Sequence, residues 1–178
     1  LFDLAKLAEN GQPAGDLLMV TAADGKTVYL KNALTFGTYI DGDPFNAWIK
    51  GTKDGNVITI PAGQYIYYGE LQDGSKAGIQ VGYMELKDGQ IQPIDDPIKF
   101  YVDGVSIKLG ETYMEGQTAD DLKLKMLGGY WSDEKSLFCG DLETVFTTDP
   151  NGIETVAAGA NKQVVGETFF DLSGRKLS

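Results

Sequence analysis

Asn46-Ala47-Trp48-Ile49-Lys50-Gly51-Thr52-Lys53-Asp54-Gly55-Asn56-Val57-Ile58-Thr59-Ile60-Pro61 decides the fold class. Two short runs holding β-branched and aromatic residues flank Asp54-Gly55, a pair suited to the positive φ of a two-residue hairpin turn. Trp48 and Ile49 sit on one arm and Val57 and Ile58 on the other. Pro61 ends the second arm, because it has no N–H to give a ladder.

The same device recurs on both sides. Asp-Gly pairs stand at Asp24-Gly25, Asp41-Gly42, Asp73-Gly74, Asp88-Gly89 and Asp103-Gly104. Between them lie runs such as Val28 to Leu30, Tyr65 to Leu71, Ile79 to Lys87, Gln90 to Ile94, Ile98 to Val102 and Val105 to Leu109. In Ile98 to Val102 the apolar residues Ile98, Phe100 and Val102 alternate with Lys99 and Tyr101, which implies one buried and one wetter face. The expectation is an all-β chain, an antiparallel meander or β-sandwich modules with Asp-Gly turns.

Three segments are less regular. Leu1, Leu4, Leu7 and Ala8 have helical spacing, so 1–16 is read as an N-terminal helical or linker segment. Thr118 to Asp121 resembles a capping box, but Leu122, Leu124 and Met126 alternate with Lys123 and Lys125, and the strand reading is preferred. Gly128-Gly129 is expected to break that strand, with Tyr130-Trp131 and Leu137-Phe138 supplying apolar mass beyond it. The β-rich domain is assigned to 17–152, as one unit or as two modules, 17–75 and 78–152. Asp149-Pro150-Asn151-Gly152 marks the boundary to an extended C-terminal strap over 153–178.

Composition narrows the function classes. With 15 basic and 26 acidic residues the 178-residue chain has a formal net charge of -11. Phosphate backbones and anionic membranes are repelled on average, and Arg175 is the only arginine, so nucleic acid is not an expected partner. Histidine is absent, which removes the usual base of catalytic triads and the imidazole ligands of metal sites. Cys139, the single cysteine, is expected to be a buried small hydrophobe.

No catalytic, cofactor-binding or metal residues are therefore assigned, no cofactor is expected, and the chain is read as not an enzyme. Glycoside hydrolysis needs a carboxylate pair, and candidates such as Glu70 with Glu85, or Asp95 with Asp96, are read instead as surface and turn residues. Asp41, Asp43 and Asn46, and Asp95-Asp96 near Gln92, offer oxygen ligands suited to calcium, but without the twelve-residue loop pattern they are read as solvated turns. Trp48, Tyr68 and Trp131 are the candidate ligand-contact aromatics. Tyr65 and Tyr67 are expected on one strand face, with Tyr68 on the other.

Two stretches resemble known families. Phe170-Asp171-Leu172-Ser173-Gly174-Arg175-Lys176-Leu177, preceded by Ile153-Glu154-Thr155 and Val164 to Phe169, resembles the opening of the C-terminal sorting-type domains of Bacteroidetes extracellular proteins. The residues from Asn46 to Ile66 resemble a recurring unit of uncharacterised surface or lipid-anchored, adhesin-like proteins of gut Bacteroidales. The resemblances imply an extracellular or outer-membrane-surface location, with contact to the membrane only through a lipid anchor. They imply adhesion or scaffolding with an extracellular protein or glycan as partner. The alternative is a carbohydrate-binding accessory module of a glycan-utilisation system.

Overall fold

The computed structural model describes residues 18–34, 39–40, 43–45, 47–104, 106–147, 162–165 and 168–171. The helical reading of 1–16 lies outside them. In chain order the elements are β1 (Leu18–Thr21), β2 (Thr27–Lys31), β3 (Tyr39–Ile40), β4 (Asp43–Pro44), β5 (Ile49–Asp54) and β6 (Val57–Ile60). β7 (Gln64–Glu70), β8 (Lys76–Lys87), β9 (Gln90–Pro93), β10 (Ile98–Asp103) and β11 (Ser106–Leu109) follow. β12 (Tyr113–Glu115), β13 (Lys123–Trp131), β14 (Leu137–Asp141), β15 (Val145–Thr147), β16 (Lys162–Val165) and β17 (Thr168–Asp171) complete the set.

The Asp-Gly pairs join hairpin neighbours at five of the six places read from the sequence: β1–β2, β5–β6, β7–β8, β8–β9 and β10–β11. Gly25, Gly55, Gly74, Gly89 and Gly104 all have positive φ, between 58° and 83°, a region that glycine enters at no steric cost. Asp24 also holds its turn directly. Its carboxylate accepts from the Lys26 and Thr27 amides at 2.8 and 2.7 Å and from Thr27 Oγ1 at 2.6 Å. Those bonds to the charged form lower its pKa to about 2. The sixth pair, Asp41-Gly42, lies outside the described residues.

The hairpins do not assemble as a simple meander or sandwich. They form two curled antiparallel half-barrel sheets. The first runs β1-β2-β5-β6-β10-β11-β15, so the chain leaves it after β6 and returns at β10. In the second, the long strands β8 and β13 pair along seven residues. Each carries two short strands in tandem on its other side, β7 and β9 along β8 and β12 and β14 along β13. Both sheets therefore take strands from either side of residues 75–78, and the two-module division does not coincide with them.

Alternation explains the core. Val28, Leu30, Ile49, Ile58, Ile60, Ile98, Phe100 and Ile107 point inward from the first sheet. They meet Ile79, Val81, Tyr83 and Leu127 from the second. The opposite parity of the second sheet places Met84, Leu124, Met126 and Tyr130 in a separate apolar cluster with Leu86, Ile91, Leu137 and Leu142. β8 is thus apolar on both faces, which is why its sequence reads as a long run rather than a clean alternation.

Gly128-Gly129 does not break β13; the strand runs through it. The two glycines admit neighbours where a methyl group would stand. A Cβ on Gly128 would collide with Met84 Cγ, and one on Gly129 would come within 2.8 Å of Cys139 Sγ. Cys139 is buried as expected, and burial pushes its thiol up to about 12.

Tyr83 ties the sheets together. Its ring is wholly buried, and its hydroxyl donates to the Gly110 carbonyl at 2.5 Å and accepts from the Lys99 amide at 3.1 Å. The Gly110 amide donates to the Lys99 carbonyl at 2.9 Å, so the phenol stands where the returning bond of that residue pair would lie. Lys125 Nζ sits 4.6 Å from the ring centroid and pairs with Asp96 at 3.0 Å. Desolvation, with a smaller contribution from Glu111, pushes the Tyr83 pKa up to about 12.

Candidate aromatic surface

Trp48 and Tyr68, two of the three aromatics singled out from sequence, are exposed at 40% and 58%. Trp131 is half-buried instead, packed against the shared core with its ring edge-on to Phe138 at 5.3 Å.

Sequence alternation misplaced Tyr65. A bulge between Tyr65 and Tyr67 shifts the register of β7 against β8, so Ile66 and Tyr67 are both buried while Tyr65 is 44% exposed. Tyr65 consequently shares a surface with Tyr68, ring centroids 5.9 Å apart and planes at 89°. The Tyr65 ring covers Gly78, where a Cβ would lie 2.5 Å from Tyr65 Cε1. Gly78 therefore provides the bed for an exposed ring, and no glycine at the bulge itself signals it in the sequence.

The seam between the sheets brings Trp48 to the same region. The Ala47 amide donates to the Ile66 carbonyl at 3.2 Å. The Gln64 side-chain amide accepts from the Lys50 amide and donates to the Lys50 carbonyl, both at 2.8 Å, and reaches the Pro61 carbonyl at 3.1 Å. One side chain thus makes the paired bonds that a strand neighbour would make. The exposed Trp48 and Lys50 thus stand on one side of this seam, and the exposed Tyr65 and Tyr68 on the other.

Register extends the surface along the first sheet. Tyr29, 37% exposed, pairs with Val20 on one side and Lys50 on the other. Leu18 and Val20 are exposed beyond it, and Leu18 pairs with Lys31. The result is an open sheet face of rings and aliphatics edged by lysines.

The other sequence candidates do not assemble. Glu70 pairs with Lys76 at one end of β8, whereas Glu85 is nine positions further along it, roughly 30 Å at strand rise. That separation rules out the Glu70 and Glu85 pair for work on one glycosidic bond. Asp96 is engaged by Lys125. Among the described residues no three His, Cys, Asp or Glu side chains converge as a metal site; Asp41 and Asn46 lie outside them, and only the backbone of Asp43 is described. The cavity beside Ala33, Leu34, Phe45 and Ile66 encloses about 10 Å³, room for a single water.

No family model, curated protein or solved structure matches the chain.

Proposed function

We propose that this chain is a non-catalytic domain of a bacterial cell surface that binds an extracellular ligand over an open aromatic face, in adhesion or scaffolding. The observation that carries the reading is the outward edge-to-face pair of Tyr65 and Tyr68 on β7, with the exposed Trp48 just before β5 across the seam. Exposed rings on fixed backbone lose little side-chain entropy on binding and bury large areas, so they are favoured as contact anchors. An open face of this kind suits an extended glycan or a protein surface, and a carbohydrate-binding accessory role is the second reading on the same residues. The resemblance of Phe170 to Leu177 to sorting-type domains supports the surface location; β17 forms a hairpin with β16 there, and 172–177 lie outside the described residues.

The test is an array of glycans and extracellular matrix proteins probed with the full chain and with Trp48→Ala and Tyr68→Ala, each checked by circular dichroism. Saturable binding lost in both variants is the expected result. Binding that both variants retain in full would show that the ligand lies elsewhere and refute the assignment. Protease shaving of intact cells tests location: protection of the chain on intact cells and digestion only after lysis would refute a surface position.

A further inference from the structure

The face that carries Trp48 and Tyr29 also carries outward-facing cations of this acidic chain. Alternation from the buried residues places Lys31, Lys50, Lys99 and Lys108 on the outer face of the first sheet. The outward acids of the described strands there are Asp54 and Asp103, both at hairpin turns. Lys108 is bound to Asp103 at 3.4 Å, and Lys99 donates to Thr59 Oγ1 at 3.0 Å. Lys31 and Lys50 have no carboxylate partner among the described residues, and they occupy diagonal positions around Tyr29 and Trp48. In a chain of net charge -11, two lysines without a carboxylate partner among the described residues, beside exposed rings, give this face a local charge opposite in sign to that of the whole.

We propose that this surface binds an acidic polysaccharide. The sugar faces stack on Trp48, Tyr29 and Tyr65, and carboxylate or sulfate groups pair with Lys31 and Lys50. This rests on the aromatic-face reading above and adds the charge of the ligand. The negative remainder of the chain keeps the ligand on this face and repels it elsewhere.

The experiment measures binding of the full chain to polygalacturonate, chondroitin sulfate and neutral hydroxyethylcellulose by affinity electrophoresis and biolayer interferometry, in about 50 and 200 mM salt. Expected is binding to at least one acidic polymer, at least about tenfold tighter than to the neutral one, and weakening with salt. Lys31→Glu/Lys50→Glu loses about fivefold or more, and Trp48→Ala about tenfold. Lys87→Glu/Lys123→Glu, an equal charge change on exposed strand ends of the other sheet, stays within about twofold. Urea midpoints confirm that each variant folds. Equal binding to the neutral polymer would overturn the acidic ligand and leave the aromatic face standing. Equal losses in the two double variants would overturn the localisation. No binding to either acidic polymer would overturn the proposal, and self-association abolished by Trp48→Ala would then assign the face to a second copy of the chain.

Discussion

Tyr83→Phe removes one oxygen atom and leaves the ring, so its effect isolates the hydroxyl that bridges the sheets. In the wild type that oxygen satisfies the Lys99 amide at 3.1 Å and the Gly110 carbonyl at 2.5 Å. A buried backbone group left without a partner costs about 1–3 kcal/mol. Two are exposed to that cost, but Lys99 and Gly110 already share one bond and can partly close on each other, so the expected loss is about 2 kcal/mol. With a urea slope near 2 kcal/mol/M, the midpoint falls by about 1 M and the slope is unchanged. Hydrogen exchange at the Lys99 amide accelerates relative to amides in β8. A midpoint shift under about 0.2 M with unaltered Lys99 protection would refute the bridging role.

The same tyrosine sets a pH dependence. Its folded pKa, about 12, is above the ordinary tyrosine value near 10, so the folded state holds the proton longer. The contribution is fully present below pH 10 and is lost as pH rises from about 10 through 12. Urea midpoints of wild type and Tyr83→Phe should converge over that interval; a constant gap would contradict the assignment.

Further outcomes follow from packing and turn chemistry. Gly128→Ala should cost about 1–3 kcal/mol because its methyl group meets Met84, and combining it with Met84→Ala should be less damaging than the sum of the two; strict additivity in urea unfolding would show no contact. The Cys139 thiol should resist a thiol reagent in the native protein and react on unfolding, so fast labelling of folded chain would contradict its burial. The Asp24 carboxylate should titrate by NMR near pH 2, its stabilising effect present above the ordinary aspartate pKa and lost as pH falls through that midpoint; titration near the ordinary value would mean the turn bonds do not form in solution.

Local chemistry was legible in the sequence and distant pairing was not. Asp54-Gly55 between Ile49 and Val57 specifies a hairpin because turn conformation and strand twist must agree within a few residues. Nothing within those residues says that β6 pairs with β10, about 40 positions away, or that β8 pairs with β13. Gly128-Gly129 looked like a break because its reason for being glycine is a methionine on another strand and a cysteine on a third. The exposed site was read in part for the same reason: Trp48 and Tyr68 are aromatic in an obvious way, whereas Tyr65 reaches the surface only because the pairing of β7 slips at a bulge.

Gln64 gives the seam a mechanical character of its own. A backbone peptide is held by chain on both sides, but an amide at the end of a side chain hangs on rotatable single bonds. Along this line the two sheets are fastened by one backbone bond, Ala47 to Ile66, and a soft side-chain clasp rather than welded by a full ladder. Under tension across the seam the clasp can swing before any strand gives way, and the exposed rings of Trp48 and Tyr65 stand on opposite sides of that joint.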